Sequence, residues 1–197
     1  MSKIIALTQR VDFITDYNEK RDAIDQRISK LLFNCDYIPL LLPNDLAIAT
    51  VLFNIYKPSG ILLSGGGDLA NYGGASPERD ELENWLIKQS IDNNLPLLGI
   101  CRGMQAIGNH FGEKLEQLKN HVATTHTINA SREVNSFHNF GFVELKTQNF
   151  IATHLANDGS IEAFKHNSYN IYGIMWHPER EAIVTSEDLN LIREIFD

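Results

Sequence analysis

Cys101 sits in Gly99-Ile100-Cys101-Arg102-Gly103, directly after the apolar run Leu95-Pro96-Leu97-Leu98. A nucleophile with glycine two positions before and two after fits a tight strand-to-helix turn, where only small residues clear the crossing backbones. A thiol there is expected to point toward solvent. A helix beginning near Gly103 would aim its positive end and unpaired N–H groups at the sulfur, favouring thiolate and offering a donor to a developing oxyanion. The other reading of the pentapeptide is a cysteine buried at the end of a core strand. Far along the chain, Gly173-Ile174-Met175-Trp176-His177-Pro178-Glu179 places an imidazole and a carboxylate two residues apart at the end of an apolar run. Alternate strand residues share a face. Glu179 can then accept a hydrogen bond from one ring nitrogen of His177, leaving the other to exchange a proton with a thiol. Pro178 removes a ladder donor and marks a strand end or edge. Cys101, His177 and Glu179 are thus the expected catalytic residues: nucleophile, acid–base and orienting carboxylate. A solvated strand end with an incidental histidine is the alternative.

Such a site needs strands that end together. Short apolar runs alternate with longer helical patterns, the mark of an α/β fold with a mostly parallel sheet. Strands are expected at residues 3–8, 37–42 and 60–64, the second at an edge because it contains Pro39. The stripe Ala23, Ile24, Ile28, Leu31, Leu32 predicts a helix over 22–33, and Asp45 caps a second that runs to about Tyr56. A third helix spans 77–93 with proline in its first turn, a fourth follows Cys101 to about Gly112, and a last stripe holds Leu189, Ile192, Ile195 and Phe196. Beyond Glu113 the segments are shorter and alternate, with strands at 141–146, 160–165 and 171–176, so this portion reads as more antiparallel. Residues 120–131 are polar and threonine-rich and read as a mobile loop or lid.

Bulk properties exclude several classes. The 197 residues suffice for one domain, 1–197, with a substantial core. Seventeen basic and 25 acidic residues give a net charge of −8 with no basic block, so no nucleic-acid partner is expected. No apolar run approaches the roughly 20 residues that span a bilayer, and residues 1–10 lack a signal-peptide pattern; a soluble, cytoplasmic protein without a membrane partner is expected. Cys35 and Cys101 are too few for a disulfide framework.

Six segments in order carry a family resemblance: Leu62-Leu63-Ser64-Gly65-Gly66-Gly67-Asp68, Arg79-Asp80-Glu81-Leu82-Glu83, Gly99 to Gln105, Val134-Asn135-Ser136-Phe137-His138, Asp158-Gly159-Ser160-Ile161-Glu162-Ala163 and Trp176-His177-Pro178-Glu179. On these the chain resembles class I glutamine amidotransferase-type hydrolases, and within them the γ-glutamyl hydrolase and γ-glutamyl-γ-aminobutyrate hydrolase branch. The resemblance implies a flavodoxin-like fold with a mostly parallel central sheet, helices on both faces and a smaller antiparallel portion. It implies an oxyanion hole from the backbone N–H groups of Gly66 and Arg102. The glycine loop is not a phosphate-binding Walker loop, because no Lys-Ser or Lys-Thr follows it at the required spacing. The resemblance further implies that Gln105, Ser136, Phe137 and His138 hold the glutamyl group, although Gln105 is otherwise an ordinary helix residue and His138 a surface strand residue. Arg79, Asp80 and Glu83 read as a structural ion-pair set on a helix. His121 and His126 show no metal-ligand spacing, and no metal or other cofactor is expected.

The implied reaction is cleavage of a γ-glutamyl amide C–N bond through a γ-glutamyl thioester, with a small-molecule substrate. Asn139-Phe140 replaces the His-Gln common in similar enzymes, and Met175 replaces a glutamine. These departures argue against simple transfer of γ-aminobutyrate as the leaving amine. The chain also resembles small bacterial members that remove glutamate from a γ-glutamyl nucleotide phosphoramidate, such as γ-glutamyl-CDP-amidate, in capsule biosynthesis. Two other readings stay open: a glutaminase subunit supplying ammonia to a synthetase partner, and a non-catalytic binding module. A homodimer is compatible with either catalytic reading.

Overall fold

Short aliphatic segments separated by amphipathic ones build a wound sheet. The computed structural model describes residues 2–197. In chain order its first half contains β1 (Ile4–Leu7), β2 (Arg10–Ile14), β3 (Glu19–Ala23), α1 (Gln26–Asn34), β4 (Ile38–Leu41), α2 (Leu46–Tyr56), β5 (Gly60–Leu63), α3 (Pro77–Asn93), β6 (Leu97–Ile100) and α4 (Arg102–His110). The second half contains β7 (Glu116–Gln117), β8 (Val122–Ile128), β9 (Arg132–Phe137), β10 (Phe140–Gly141), β11 (Phe150–Leu155), β12 (Ile161–His166), β13 (Ile171–Ile174) and α5 (Ser186–Phe196).

Seven of these strands form the central sheet in the order β11-β12-β13-β6-β5-β1-β4. From β4 to β13 all pairings are parallel, and β12 and β11 add on antiparallel. The parallel strands therefore follow the flavodoxin-like order 2-1-3-4-5, whose ligands lie beyond the carboxyl ends of the strands. The expected fold is the one observed, with Pro39 on an edge strand.

Alternation along the strands divides the core between the two faces. Ile5, Leu7, Leu62, Leu98 and Ile100 pack with Ile28, Leu31 and Leu32 of α1 and Ile192, Ile195 and Phe196 of α5. Ala6, Ile61, Leu63 and Leu97 pack instead with Phe53 of α2, Leu82 and Leu86 of α3 and Met104 and Ile107 of α4. Helix starts follow local chemistry: the Asp45 carboxylate accepts from Ile48 N–H at 2.9 Å, and Pro77 opens α3.

Three expectations are corrected. The helix predicted over 22–33 begins at Gln26, capped by Asp25, because Asp22 and Ala23 belong to the β2–β3 hairpin. That ribbon has no face wholly buried, so its sequence carries no alternation to announce it. Of the strand expected at 141–146, only Gly141, paired with β7, and Phe142, bridged antiparallel to Ile161 of β12 and wholly buried, take part in sheet pairing. Residues 120–131 are not an open loop: 122–128 form β8, paired antiparallel with β9. Threonine and valine suit a pleated ribbon even when one face is wet. Among the described residues no helix is long and apolar enough to cross a membrane.

Candidate active site

Cys101 follows β6 and caps α4 with φ 52° and ψ −107°, a strained conformation for a non-glycine residue. Its N–H donates to the Ile174 carbonyl of β13 at 2.7 Å, and its carbonyl accepts from Gln105 N–H at 3.0 Å. The flanking glycines are required by packing. A Cβ on Gly99 would overlap the Gly103 carbonyl, and one on Gly103 would overlap the Leu63 oxygen. β5, β6 and α4 can cross this closely only without side chains at both positions. The thiol does not project freely toward solvent as expected, since Cys101 is 5% exposed beneath the glycine loop and His177.

His177 and Glu179 meet through a turn rather than along a strand. β13 ends at Ile174, and Pro178 opens a 3-10 turn over Pro178–Arg180 that folds the carboxylate back. The expected pairing is therefore present for a different geometric reason, since Pro178 starts a helical turn instead of continuing extended backbone. The His177 Nδ1–H donates to Glu179 Oε1 at 2.7 Å, and both residues are buried. Asn135 of β9 clamps the histidine backbone: its amide donates to the His177 carbonyl at 2.8 Å and its oxygen accepts from His177 N–H at 2.9 Å. Phe137 stands edge-on against the imidazole at 5.8 Å between ring centroids. Burial disfavours the charged ring, but Cys101 and Glu179 beside it outweigh that effect and raise the His177 pKa to about 9. Asn135 was missed as a positioning residue, because its role depends on β9 lying beside the His177 turn.

The glycine loop is held from behind by a buried ion-pair network. Arg79 donates to the Gly66 carbonyl at 2.7 Å, to the carbonyls of Ser64 and Gly65, and through Nε to Glu83 Oε1 at 2.8 Å. Glu83 also pairs with Arg102, whose guanidinium reaches Asp80 as well. Gathering three successive carbonyls on the Arg79 side fixes the orientation of the loop's peptide units. Gly66 adopts φ +93°, open to glycine without strain, and Arg102 is the first residue of α4, so its N–H has no acceptor within the helix. The Arg79-Asp80-Glu83 set is an ion-pair network as expected, with Arg102 as an added member.

One cleft is lined by Gly66, Gly67, Asp68, Cys101, Gln105, Phe137, His138, Asn139, His177 and Arg180. Gln105 donates to the Phe140 carbonyl at 2.8 Å, and its buried amide oxygen has no hydrogen-bond partner among the described residues. Ser136 is fully buried and its hydroxyl donates to the His121 carbonyl at 2.7 Å, so its side chain is turned away from the cleft. Phe137 is partly exposed, with Arg180 stacked over its ring at 4.5 Å. On the other side of the glycine loop a second depression is lined by Arg10, Gly65, Gly66, Glu179 and Arg180. Asn139 lies on the cleft wall, whereas Met175 is wholly buried.

His138 also belongs to a separate cluster. His121, His126, His138 and Glu162 bring one ligand-competent atom each to within 4.8 Å of one another. Residue spacing shows no metal-ligand pattern at His121 and His126, but the fold gathers the four from separate places: His121 just before β8, His126 on β8, His138 just after β9 and Glu162 on β12, a convergence that local spacing does not reveal.

A family model for class I glutamine amidotransferases matches residues 16–197. The γ-glutamyl-CDP-amidate hydrolase of Campylobacter jejuni is 39% identical over 184 residues, covering 90% of each chain. A solved Thermoplasma acidophilum structure described as a GMP synthase subunit superposes with TM-score 0.73 at 19% identity, over 98% of this chain and 92% of that one. A Thermotoga maritima glutamine amidotransferase does so with TM-score 0.70 at 14% identity, over 98% and 84%. With the elbow, the glycine loop and the flavodoxin-like sheet in place, the chain belongs to the class I glutamine amidotransferase family.

Proposed function

We propose that the chain is a stand-alone cysteine hydrolase cleaving the γ-glutamyl amide bond of a nucleotide phosphoramidate, γ-glutamyl-CDP-amidate being the specific substrate. The observation that carries the chemistry is the buried His177–Glu179 hydrogen bond of 2.7 Å, with His177 and Cys101 lining the same cleft. The similarity to the Campylobacter jejuni hydrolase supports the substrate.

The Cys101 sulfur, as thiolate, attacks the γ-carbonyl carbon, and the carbonyl π electrons move to oxygen. The Gly66 and Arg102 N–H groups receive that oxyanion. Collapse of the tetrahedral species breaks the C–N bond while protonated His177 delivers its proton to the departing nitrogen, releasing the nucleoside diphosphoramidate. A γ-glutamyl thioester remains. His177, now neutral, takes a proton from water as the oxygen attacks the thioester, and the C–S bond breaks to give glutamate and regenerate the thiolate–imidazolium pair. Glu179 keeps the Nδ1 proton in place and stabilises the charged ring throughout.

Three side chains support recognition. Gln105 lines the cleft, and its buried amide oxygen, without a hydrogen-bond partner among the described residues, suits the substrate α-ammonium. Arg10 and Arg180 flank the glycine loop and suit a diphosphate, to which guanidinium groups bind with two-pronged hydrogen bonds. Glutamate release is to be measured for the purified protein alone with γ-glutamyl-CDP-amidate, γ-glutamyl-γ-aminobutyrate and glutamine. Rapid release from the first and slow release from the others is expected. Appreciable turnover of glutamine alone, rising with a synthetase, would replace this reading with that of a glutaminase subunit.

A further inference from the structure

Beyond the residues around Cys101, most buried side-chain atoms without partners gather in one place, where only His138 also lines the cleft. Nδ1 of His121, Nε2 of His126, Nε2 of His138 and both oxygens of Glu162 are buried, with no hydrogen-bond partner among the described residues. Glu162 is fully buried on β12, and His121 and His138 are nearly so. Each such atom left unpaired loses its hydration without compensation, a carboxylate most of all, so native interiors rarely tolerate five together.

The hydrogen bonds on the far sides of two rings determine what these atoms are. His121 Nε2–H donates to Asp158 Oδ2 at 2.8 Å, and His138 Nδ1–H donates to the Phe140 carbonyl at 3.1 Å. In the neutral rings the opposite nitrogens, His121 Nδ1 and His138 Nε2, therefore carry lone pairs, and both face the Glu162 carboxylate. They lie 3.7 and 3.5 Å from Glu162 Oε1, and His126 Nε2 lies 3.9 Å away. These separations are long for hydrogen bonds. They approach the edge of a tetrahedron with metal–ligand bonds of roughly 2.0–2.1 Å, which is about 3.3 Å.

The geometry points to a structural divalent-metal site for zinc, formed by His121, His126, His138 and Glu162. Three imidazoles and one carboxylate, with no thiolate, suit Zn²⁺, and four protein ligands close its tetrahedral shell. Asp158 and the Phe140 carbonyl are the outer partners that hold two ligating rings in the correct tautomer. The ion would fasten the β8–β9 hairpin and the segment after it to β12. It would thereby hold the cleft wall at Phe137–Asn139. This inference stands apart from the substrate proposed above.

The test uses the full chain carrying Cys101→Ala, so that the thiol and His177 cannot supply a competing site. After stripping with a chelator, Zn²⁺ is titrated against a chromophoric competitor, and Co²⁺ is added separately. One equivalent of tightly held Zn²⁺ is expected, with Co²⁺ showing the intense visible bands of a four-coordinate ion and no thiolate charge-transfer band. Absence of tight binding, or a six-coordinate Co²⁺ spectrum, overturns the site. Asp158→Asn, at a half-exposed position, should weaken Zn²⁺ by about 10–100-fold. His126→Asn should weaken it further. Unchanged affinity in a folded His126→Asn protein places the ion elsewhere and overturns the assignment; if that variant is unfolded, the stoichiometry and spectrum of the parent decide.

Discussion

The guanidinium of Arg102, the residue after the elbow cysteine, is paired with the carboxylate of Glu83 on α3, and both side chains are buried. Glu83 binds Arg79 through its other oxygen, so one carboxylate joins the start of α4 to the residue that grips the glycine loop. The two backbone segments proposed to receive the oxyanion are thus braced against one another by a single buried anion.

Glu83→Gln leaves two buried guanidinium groups under-compensated. A loss of about 3–5 kcal/mol is expected from denaturant unfolding. Burial alone would raise the Glu83 pKa, but Arg102 and Arg79 hold it below its ordinary 4.5. The stability from this pairing is therefore full above pH 4.5 and lost as the pH falls through the lower, folded value. An acid-unfolding midpoint identical in wild type and Glu83→Gln would contradict this assignment.

Cys101→Ala is expected to abolish turnover without loss of fold, and full residual activity would sink the mechanism. It also removes one of the groups that raise His177, so the imidazole should titrate near 9 in wild type and lower in the variant, as read by NMR of the ring. The folded pKa lies above the ordinary 6.5, so this pairing's stabilisation is full below 6.5 and lost as the pH rises through about 9.

Glu179→Gln should lower kcat by roughly 10²–10⁴-fold with little change in KM, because the carboxylate holds the tautomer and does not itself react. Steady-state kinetics decides. A variant with unaltered kcat would show that the turn around Pro178 positions His177 without the carboxylate.

Gly65→Ala separates activity from stability. The added Cβ would lie 2.6 Å from His177 Cε1, so the ring must move. A displacement of this kind is expected to cost about 100-fold in kcat. Kinetics and thermal melting are compared on one preparation, and an equal loss in both would reassign Gly65 to the fold alone.

Arg180→Ala tests the leaving-group side. Its KM for γ-glutamyl-CDP-amidate should rise by about tenfold, the effect of losing one charged hydrogen bond, while glutamine kinetics barely move. Equal effects on both substrates would place Arg180 in general support of Phe137.

By itself the sequence determined the wound parallel sheet and the boundaries of α2 and α3, and singled out Cys101, His177 and Glu179 as the candidate catalytic residues. Those features are local: alternation and helical stripes report burial, and paired glycines around a nucleophile report a crossing too close for side chains. The β2–β3 ribbon and β8 were illegible because they keep much of their surface exposed, which leaves alternation weak, and β9 because it buries Ser136 while exposing Phe137. The tertiary structure alone decided how Asn135 clamps His177, how Glu83 of α3 reaches Arg102 of α4, and how Glu162 comes to face three histidines. In each case the partners are supplied by separate elements. Their meeting depends on how the ribbons and α3 dock on the sheet, and residue spacing along the chain carries no record of that docking.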